Sequence, residues 1–191
     1  METPNQGRRA EAAGRPPDGD WTLLRRARAG DAAAWEELWR RQQDRLFRVA
    51  LAVSRDPETA RDVTHTVLLR VVSAAAPPRE DSLTAYLTTA AWREAQRQSG
   101  HRRRLEPLES LADTPAGGAP DDEDGERRVH ALAALEQLPA PQRDTLALRL
   151  VGGLSYDEVA HVLGIPVGTV RSRLHAGIRA CRATLQRKGQ L

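Results

Sequence analysis

A chain of 191 residues is long enough for one large domain or two small ones. Its hydrophobic content of 40% can form packed cores, and its net charge is only +3. The single cysteine excludes a disulfide framework or a cysteine zinc cluster within the chain. No apolar run reaches the length of a membrane span, and the first 20 residues lack the apolar core of a signal peptide. The sequence therefore predicts a cytoplasmic protein.

Helical periodicity begins close to the N-terminus. Residues 1–20 are rich in Pro, Gly and charge, which predicts a disordered tail. A helical pattern starts near Trp21 and breaks at Gly30, and Asp31 is then placed to cap a longer helix. The predicted apolar stripe of this longer helix comprises Trp35, Leu38, Trp39, Leu46, Val49, Ala50 and Val53.

Two more helices are predicted before residue 100. Asp56 caps the first of them, and the Pro77–Pro78 pair ends it. Its inward-facing residues are predicted to be Ala60, Val63, Val67, Leu68 and Val71. Ser82 caps the next helix, which runs toward Gln98. No segment alternates as a strand would, so the chain is predicted to be all-α.

An acidic segment rich in Pro and Gly separates the two halves. Residues 101–127 begin with a basic run and continue with many acidic side chains. Such a segment cannot bury enough apolar surface to fold alone, which predicts a flexible linker. The expected organisation is two small helical domains, at residues 21–100 and 128–188, joined by this linker.

The C-terminal domain has the pattern of a helix-turn-helix. Ser155 is a natural N-cap, and Glu158 follows at the capping-box spacing. Gly164 suits the left-handed residue that ends the first helix, and Pro166 can open the second. The predicted scaffold residues are Ser155, Glu158, Ala160, Gly164 and Val170. The second helix of this motif enters the DNA major groove, so the pattern predicts binding to duplex DNA.

The second helix of the motif has an apolar stripe and a basic face. The stripe is predicted to comprise Val170, Leu174, Ile178, Cys181 and Leu185. No acidic residue occurs from Pro166 to the C-terminus, where there are six basic ones. A solvated helix could have the same composition, but this face follows a turn that directs it into a groove. The residues predicted to contact DNA are Thr169, Arg171, Ser172, Arg173, His175 and Arg179.

The motifs Leu138-Pro139, Gly153-Leu154-Ser155-Tyr156 and the run from Ile165 to His175 resemble region four of bacterial sigma factors. The similarity is greatest to the small two-domain type called extracytoplasmic-function (ECF) sigma factors. The resemblance implies that the helix from Gly168 recognises the −35 promoter element within an RNA polymerase holoenzyme. Response-regulator output domains have similar helix-turn-helix sequences, so this region leaves that alternative open.

The segments at residues 35–39 and 56–63 resemble sigma region two. The resemblance implies that the second segment opens a polymerase-binding helix. Family members typically continue there with a Gln, an acidic and an aromatic residue, where this chain has His65, Thr66 and Leu68. The residues expected to contact the polymerase are Asp62, His65, Leu68 and Leu69.

The following helix and loop would hold the single-stranded −10 element by the same resemblance. Tyr86 and Trp92 offer rings on which bases can stack, and Arg93 and Arg97 can hold phosphates. Trp92 could equally be a core residue. The family's usual Trp-Leu and Arg-Asn pairs are replaced here, so −10 recognition and strand opening are the less supported functions.

Three classes of function compete. A sigma factor would bind core RNA polymerase and promoter DNA, and an anti-sigma factor is a further candidate partner. A free-standing regulator would bind DNA alone, usually as a dimer on a palindromic site. Nothing in the sequence favours an enzyme, because it has no phosphate-cradling glycine loop, metal-ligand spacing or nucleophile motif. We therefore expect no cofactor, no metal site and no catalytic residues.

Overall fold

The computed structural model describes residues 19–74, 82–105 and 123–187. The first half contains α1 (Asp20–Arg28), α2 (Ala32–Ser54), α3 (Pro57–Ser73) and α4 (Leu83–Leu105). The second half contains α5 (Glu123–Glu136), α6 (Ala140–Leu146), a π-helical segment (Ala147–Val151), α7 (Tyr156–Leu163) and α8 (Val167–Arg187). These three ranges contain no strand, and the all-α prediction is confirmed.

Side-chain caps begin three helices of the first half. In each case an oxygen of the cap accepts a hydrogen bond from the backbone N–H three residues later. The distance is 3.1 Å for Asp31, 2.9 Å for Asp56 and 3.2 Å for Ser82. Such caps satisfy amides that have no partner within the helix. The predicted starts of α2, α3 and α4 are therefore confirmed.

The core of the first half is apolar and comes from all four of its helices. The inward faces predicted for α2 and α3 are buried, except that Trp35 and Trp39 are only partly covered. Leu24 of α1 and Leu87 of α4 complete the packing. The fully covered side chains include Leu38, Leu46, Val49, Val63 and Leu68.

Two helices reach further into the predicted linker than expected. Helix α4 continues to Leu105 rather than ending near Gln98, and α5 already begins at Glu123. A single glycine such as Gly100 weakens a helix by only about 1 kcal/mol, so flanking arginines and glutamines continue it. The predicted tail, the Pro77–Pro78 stop and the centre of the acidic linker lie outside the described residues.

The second half packs around α8, with a stripe that differs from the predicted one. Val170 and Leu174 are buried as expected, but Ile178 is 40% exposed and the prediction for it is wrong. Gly177 and Thr184 take the inward positions instead. A Cβ atom added to Gly177 would lie 2.6 Å from Leu146 Cδ1, so the glycine permits close approach of α6.

The π-helical segment widens the backbone before the helix-turn-helix. The Gly152 N–H donates to the Ala147 carbonyl at 2.8 Å, and the Leu154 N–H donates to the Leu148 carbonyl at 3.1 Å. Gly153 follows with φ of +79°, a conformation that favours glycine. This widened turn sets the direction in which α7 begins.

The two halves pack against each other along α2 and α4. Ala52 belongs to the core of the second half, and Trp92 contacts both cores. Gln96 Nε2 donates to Asp144 Oδ2 at 2.5 Å. A Cβ atom on Gly152 would lie 2.5 Å from Thr88 Cγ2, which shows how closely the halves approach. We call this contact region, formed by Ala52, Thr88, Trp92, Gln96, Asp144 and Gly152, the junction.

Candidate DNA-binding and polymerase-binding surfaces

A complete capping box begins the first helix of the motif. The Glu158 N–H donates to Ser155 Oγ at 3.2 Å, and the Ser155 N–H donates to Glu158 Oε2 at 2.6 Å. Val159 and Ala160 are buried one turn further on. The predicted scaffold at this end is therefore present, and it fixes where α7 starts.

The turn between the two helices is equally well defined. Gly164 has φ of +64° and ψ of +37°, and the Ile165 N–H donates to the Ala160 carbonyl at 3.1 Å. The Pro166 carbonyl then accepts hydrogen bonds from the Thr169 and Val170 N–H groups at 2.9 Å and 3.2 Å. The left-handed glycine ends α7 and leaves α8 free to begin in a new direction.

Helix α8 brings most of the predicted DNA-contacting residues onto one face. Helical geometry places Arg171, Ser172, His175 and Arg179 on the side opposite the buried Val170, and all four are exposed. Thr169 lies at the edge of this face, whereas Arg173 lies about 60° from Val170, beside the buried stripe, and both are partly buried. Ser172 Oγ donates to the Thr169 carbonyl at 3.0 Å, so its hydroxyl already has a partner within the helix. We call these six residues the basic face.

Tyr156 joins the basic face to the preceding turn, and sequence reasoning missed it as a site residue. The guanidinium carbon of Arg149 lies 5.1 Å from the centre of its ring, and that of Arg171 lies 5.8 Å away. Both distances are within the range of cation–π attraction. Arg149 Nη1 also donates to the Leu154 carbonyl at 2.9 Å. The three side chains come from three separate elements, so no helical period could have revealed them.

The candidates for −10 contacts divide between two sides of α4. Tyr86, Arg93 and Arg97 recur at spacings that place them on one face, and both arginines are exposed. Trp92 lies a third of a turn away and points into the junction. Its Nε1 is buried and has no hydrogen-bond partner among the described residues. The structure therefore groups three of the four candidates and separates Trp92 from them.

Arg97 is paired with a buried acid, Glu94. The Arg97 guanidinium hydrogen-bonds to Glu94 through two nitrogens, one of them Nε at 3.2 Å from Oε2. Gln98 donates to Glu94 Oε1 at 2.9 Å, and Arg70 lies 3.6 Å from Oε2. The Arg97 hydrogen bonds are the main reason that the pKa of Glu94 falls to about 2. Part of the positive charge of Arg97 is therefore already neutralised within α4.

The candidate polymerase-binding residues lie on α3, beside a groove that faces α2. Asp62 and His65 line this groove together with Trp39 and Phe47. The His65 and Trp39 rings meet edge to face, with their centres 5.8 Å apart. Asp62 and His65 are exposed, so both are available to a partner.

The two leucines predicted beside them have opposite environments. Leu69 is 44% exposed, whereas Leu68 is completely buried in the core. Leu68 therefore supports the surface from beneath and does not present its side chain to a partner. The period of α3 explains this, because Leu68 shares the inward face with Ala60, Val67 and Val71.

The described residues include neither a candidate metal site nor a helix that could cross a membrane. Across residues 19–74, 82–105 and 123–187, no three His, Cys, Asp or Glu side chains come together as a metal site. No described helix is long and apolar enough to cross a membrane. Burial raises the pKa of the Cys181 thiol, which keeps it protonated and unreactive near neutral pH.

Two protein-family models match separate parts of the chain. The model for sigma-70 region 2 matches residues 38–105, which include α3 and α4 and most of α2. The model for sigma-70 region 4 matches residues 130–181, from within α5 to within α8. The first match lies within the first half and the second match lies within the second half.

Several curated proteins are similar over most of the chain. The ECF RNA polymerase sigma factor SigL of Mycobacterium tuberculosis is 33% identical over 172 residues, which are 85% of this chain and 95% of the relative. The RNA polymerase sigma factor CarQ of Myxococcus xanthus is 31% identical over 165 residues, with coverages of 85% and 95%. SigE of Mycolicibacterium smegmatis is 33% identical over 80% of this chain, which spans 63% of that longer relative.

Solved structures share the arrangement of helices. The sigma factor RpoE of Bartonella quintana, in complex with the anti-sigma factor NepR, has a TM-score of 0.60 and 24% identity. The similarity covers 79% of this chain and 96% of the RpoE chain. CnrH in complex with the cytosolic domain of CnrY has a TM-score of 0.58 and 20% identity, with coverages of 88% and 98%. At these identities the likeness is one of fold.

Proposed function

The chain belongs to the sigma-70 family of RNA polymerase sigma factors, in its ECF type, and from this membership we propose which surface performs each step. A protein of this family directs promoter-specific transcription initiation by binding core polymerase and the −35 and −10 promoter elements. It selects the promoter and leaves the synthesis of RNA to the polymerase.

The basic face is proposed to bind the −35 element in the major groove. The observation that carries this proposal is the exposure of Arg171, Ser172, His175 and Arg179 on the side of α8 opposite Val170. Arginine can bind guanine edges through two hydrogen bonds or hold phosphates, and no acid competes for it between Pro166 and the end of α8. Thr169 and Arg173, which are partly buried, are proposed to contact the DNA backbone.

The first half is proposed to bind core polymerase and the −10 element. Asp62 and His65 face solvent beside the α2–α3 groove, and Leu69 extends this surface by one turn of α3. On α4, Tyr86 offers a ring for stacking, and Arg93 and Arg97 offer cations for the single strand. Trp92 can join them only when the junction opens, because it now contacts both cores.

A free-standing regulator is the less supported alternative, because the region 2 match adds a polymerase-binding domain that such a regulator does not need. Binding of an anti-sigma factor stays a prediction for this chain. Among the similar structures, RpoE of Bartonella quintana is in complex with an anti-sigma factor, NepR.

The deciding experiment is assembly with bacterial core RNA polymerase followed by run-off transcription on genomic promoter fragments. We expect a stable complex and new, discrete transcripts that map the promoter. Asp62→Arg should weaken assembly, whereas Glu36→Arg, a matched charge reversal at an exposed site of α2 outside the groove, should not. Failure to assemble, together with specific DNA binding by the chain alone, would support the free-standing regulator.

A second pair of variants tests the −35 contact. Arg171→Ala should weaken promoter binding by about 1–3 kcal/mol if its side chain binds a base pair. Arg25→Ala removes the same charge from an exposed site on α1 and should leave promoter binding unchanged. Equal affinity of the Arg171→Ala and unaltered chains would contradict the assignment of Arg171.

A further inference from the structure

Tyr156 is placed between two arginines, and only one of them lies on the basic face. We propose that Tyr156 is a positioning residue for −35 recognition, whose ring holds the Arg171 guanidinium in the orientation that meets the DNA. This inference rests on the proposed function of the basic face and adds a residue from outside α8. The guanidinium carbons of Arg149 and Arg171 lie 5.1 Å and 5.8 Å from the ring centre.

The ring is itself held in a defined place. Tyr156 is the first residue of α7, directly after the Ser155–Glu158 capping box. Arg149 reaches across the turn from the π-helical segment, donates to the Leu154 carbonyl at 2.9 Å and covers the ring. The ring therefore has little freedom, although Tyr156 remains 38% exposed.

Arg171 benefits from such support because, among the described residues, no hydrogen bond or ion pair fixes its guanidinium. An exposed arginine loses much rotamer entropy when it is held in one orientation by DNA. Among the described residues, no carboxylate pairs with Arg171 or Arg149. A ring that limits the conformations of Arg171 before binding reduces the entropy that binding must overcome.

The kind of contact matters for recognition. A carboxylate would occupy the in-plane N–H donors of Arg171 and neutralise its charge. An aromatic ring attracts the cation through its π face, which leaves those N–H donors for a guanine edge or a phosphate. The Arg97–Glu94 pair on α4 illustrates the opposite arrangement, in which an acid occupies the donors. Tyr156 thus orients a cation without consuming its hydrogen-bonding capacity.

The test measures affinity of the full chain, assembled with core polymerase, for a duplex containing the mapped promoter. Tyr156→Leu should weaken binding about two- to fivefold, which is the size of an exposed cation–π contact. Tyr156→Phe keeps the ring and should restore most of this loss. In an Arg171→Ala background, Tyr156→Leu should cause little further loss, because the two residues act together.

Two results of this experiment would overturn the proposal. If Tyr156→Phe loses as much affinity as Tyr156→Leu, the hydroxyl acts directly, for example on a phosphate. If Tyr156→Leu weakens binding equally with and without Arg171, the ring does not act through that arginine. Unchanged affinity of Arg171→Ala would instead overturn the −35 contact itself.

A measurement without DNA distinguishes failure of the Tyr156 proposal from failure of the −35 contact itself. Ring currents of Tyr156 should shift the side-chain NMR signals of Arg149 and Arg171 in the full chain without polymerase. Tyr156→Phe should keep these shifts and Tyr156→Leu should remove them, while the backbone amide spectrum confirms that the chain stays folded. If Tyr156→Leu leaves the Arg171 signals in place, the ring does not hold the guanidinium and the proposal fails.

Discussion

Replacing Glu94 with Gln should destabilise the protein in a way that depends on pH. The Glu94 carboxylate is 6% exposed and accepts hydrogen bonds from Arg97 and Gln98, with Arg70 3.6 Å away. Glutamine has nearly the same shape but no charge. The variant therefore tests the charge interaction and leaves the packing of α4 almost unchanged.

The magnitude follows from the pKa of Glu94, which the Arg97 hydrogen bonds hold at about 2 rather than the ordinary 4.5. A tenfold change in proton affinity is worth about 1.4 kcal/mol, so the charged form stabilises the fold by about 3 kcal/mol at pH 7. Because the folded pKa is lowered, this contribution is complete above pH 4.5 and is lost as the pH falls toward 2. At pH 3 the same relation leaves about 1.4 kcal/mol.

Urea unfolding of both chains, followed by circular dichroism at pH 7, 5 and 3, measures the difference. We expect Glu94→Gln to be less stable by about 2–3 kcal/mol at pH 7 and by less than half as much at pH 3. The matched control is Glu37→Gln, which removes a surface carboxylate paired with Arg40 and Arg41 and should change stability little. A difference that is the same at pH 7 and pH 3 would refute the charge argument.

The Glu94→Gln variant should bind single-stranded DNA more tightly, although it is less stable. Without the acid, Arg97 becomes a full cation beside Arg93 and Tyr86 on the face of α4. We expect tighter binding of single-stranded DNA, with the salt dependence steeper by about 0.7 in log–log slope for one added phosphate contact. A less stable protein that binds single strands more tightly cannot be explained by partial unfolding alone.

Three further predictions concern packing and capping. Ser155→Ala removes half of the capping box and should lower the free energy of unfolding by about 1 kcal/mol in urea titrations, whereas no change would mean that the cap is dispensable. Gly177→Ala places a Cβ atom 2.6 Å from Leu146 Cδ1 and should lower the free energy of unfolding by about 1–3 kcal/mol. An unchanged free energy of unfolding would mean that α6 shifts without strain. Leu68→Ala should lower the free energy of unfolding by about 2–5 kcal/mol because its side chain is fully buried. Leu69→Ala should leave the unfolding midpoint unchanged and reduce polymerase assembly, because Leu69 is exposed. Equal unfolding midpoints for the two variants would contradict this difference in burial.

The starts of the helices could be predicted because they depend on nearby residues. A cap and the amide that it binds are three positions apart, so Asp31, Asp56 and Ser155 identify themselves in the sequence. The register of α8 could not be predicted in the same way. Positions 177 and 178 both lie near the inward stripe of α8. Gly177 is the one that faces inward, because close packing against Leu146 leaves no room for a side chain there.

The resemblance to a family predicted which half binds which partner. The positions of the side chains on each surface depend instead on contacts between residues that are far apart in the sequence. The Tyr156 cluster joins the π-helical segment, α7 and α8, and a period within one helix cannot reveal such a set. The Glu94–Arg97 pair is three residues apart and could have been identified from the sequence. Its strength depends on the burial of Glu94, which only the packed structure reveals.

The junction buries two polar atoms that its Gln96–Asp144 hydrogen bond does not satisfy, and their burial weakens the contact between the halves. Thr88 Oγ1 and Trp92 Nε1 are buried there without a hydrogen-bond partner among the described residues. An unsatisfied buried group costs about 1–3 kcal/mol, which hydration recovers when the surfaces part. Under mild denaturant the junction should therefore open before either core melts, with an early red shift of tryptophan fluorescence that Trp92→Phe abolishes.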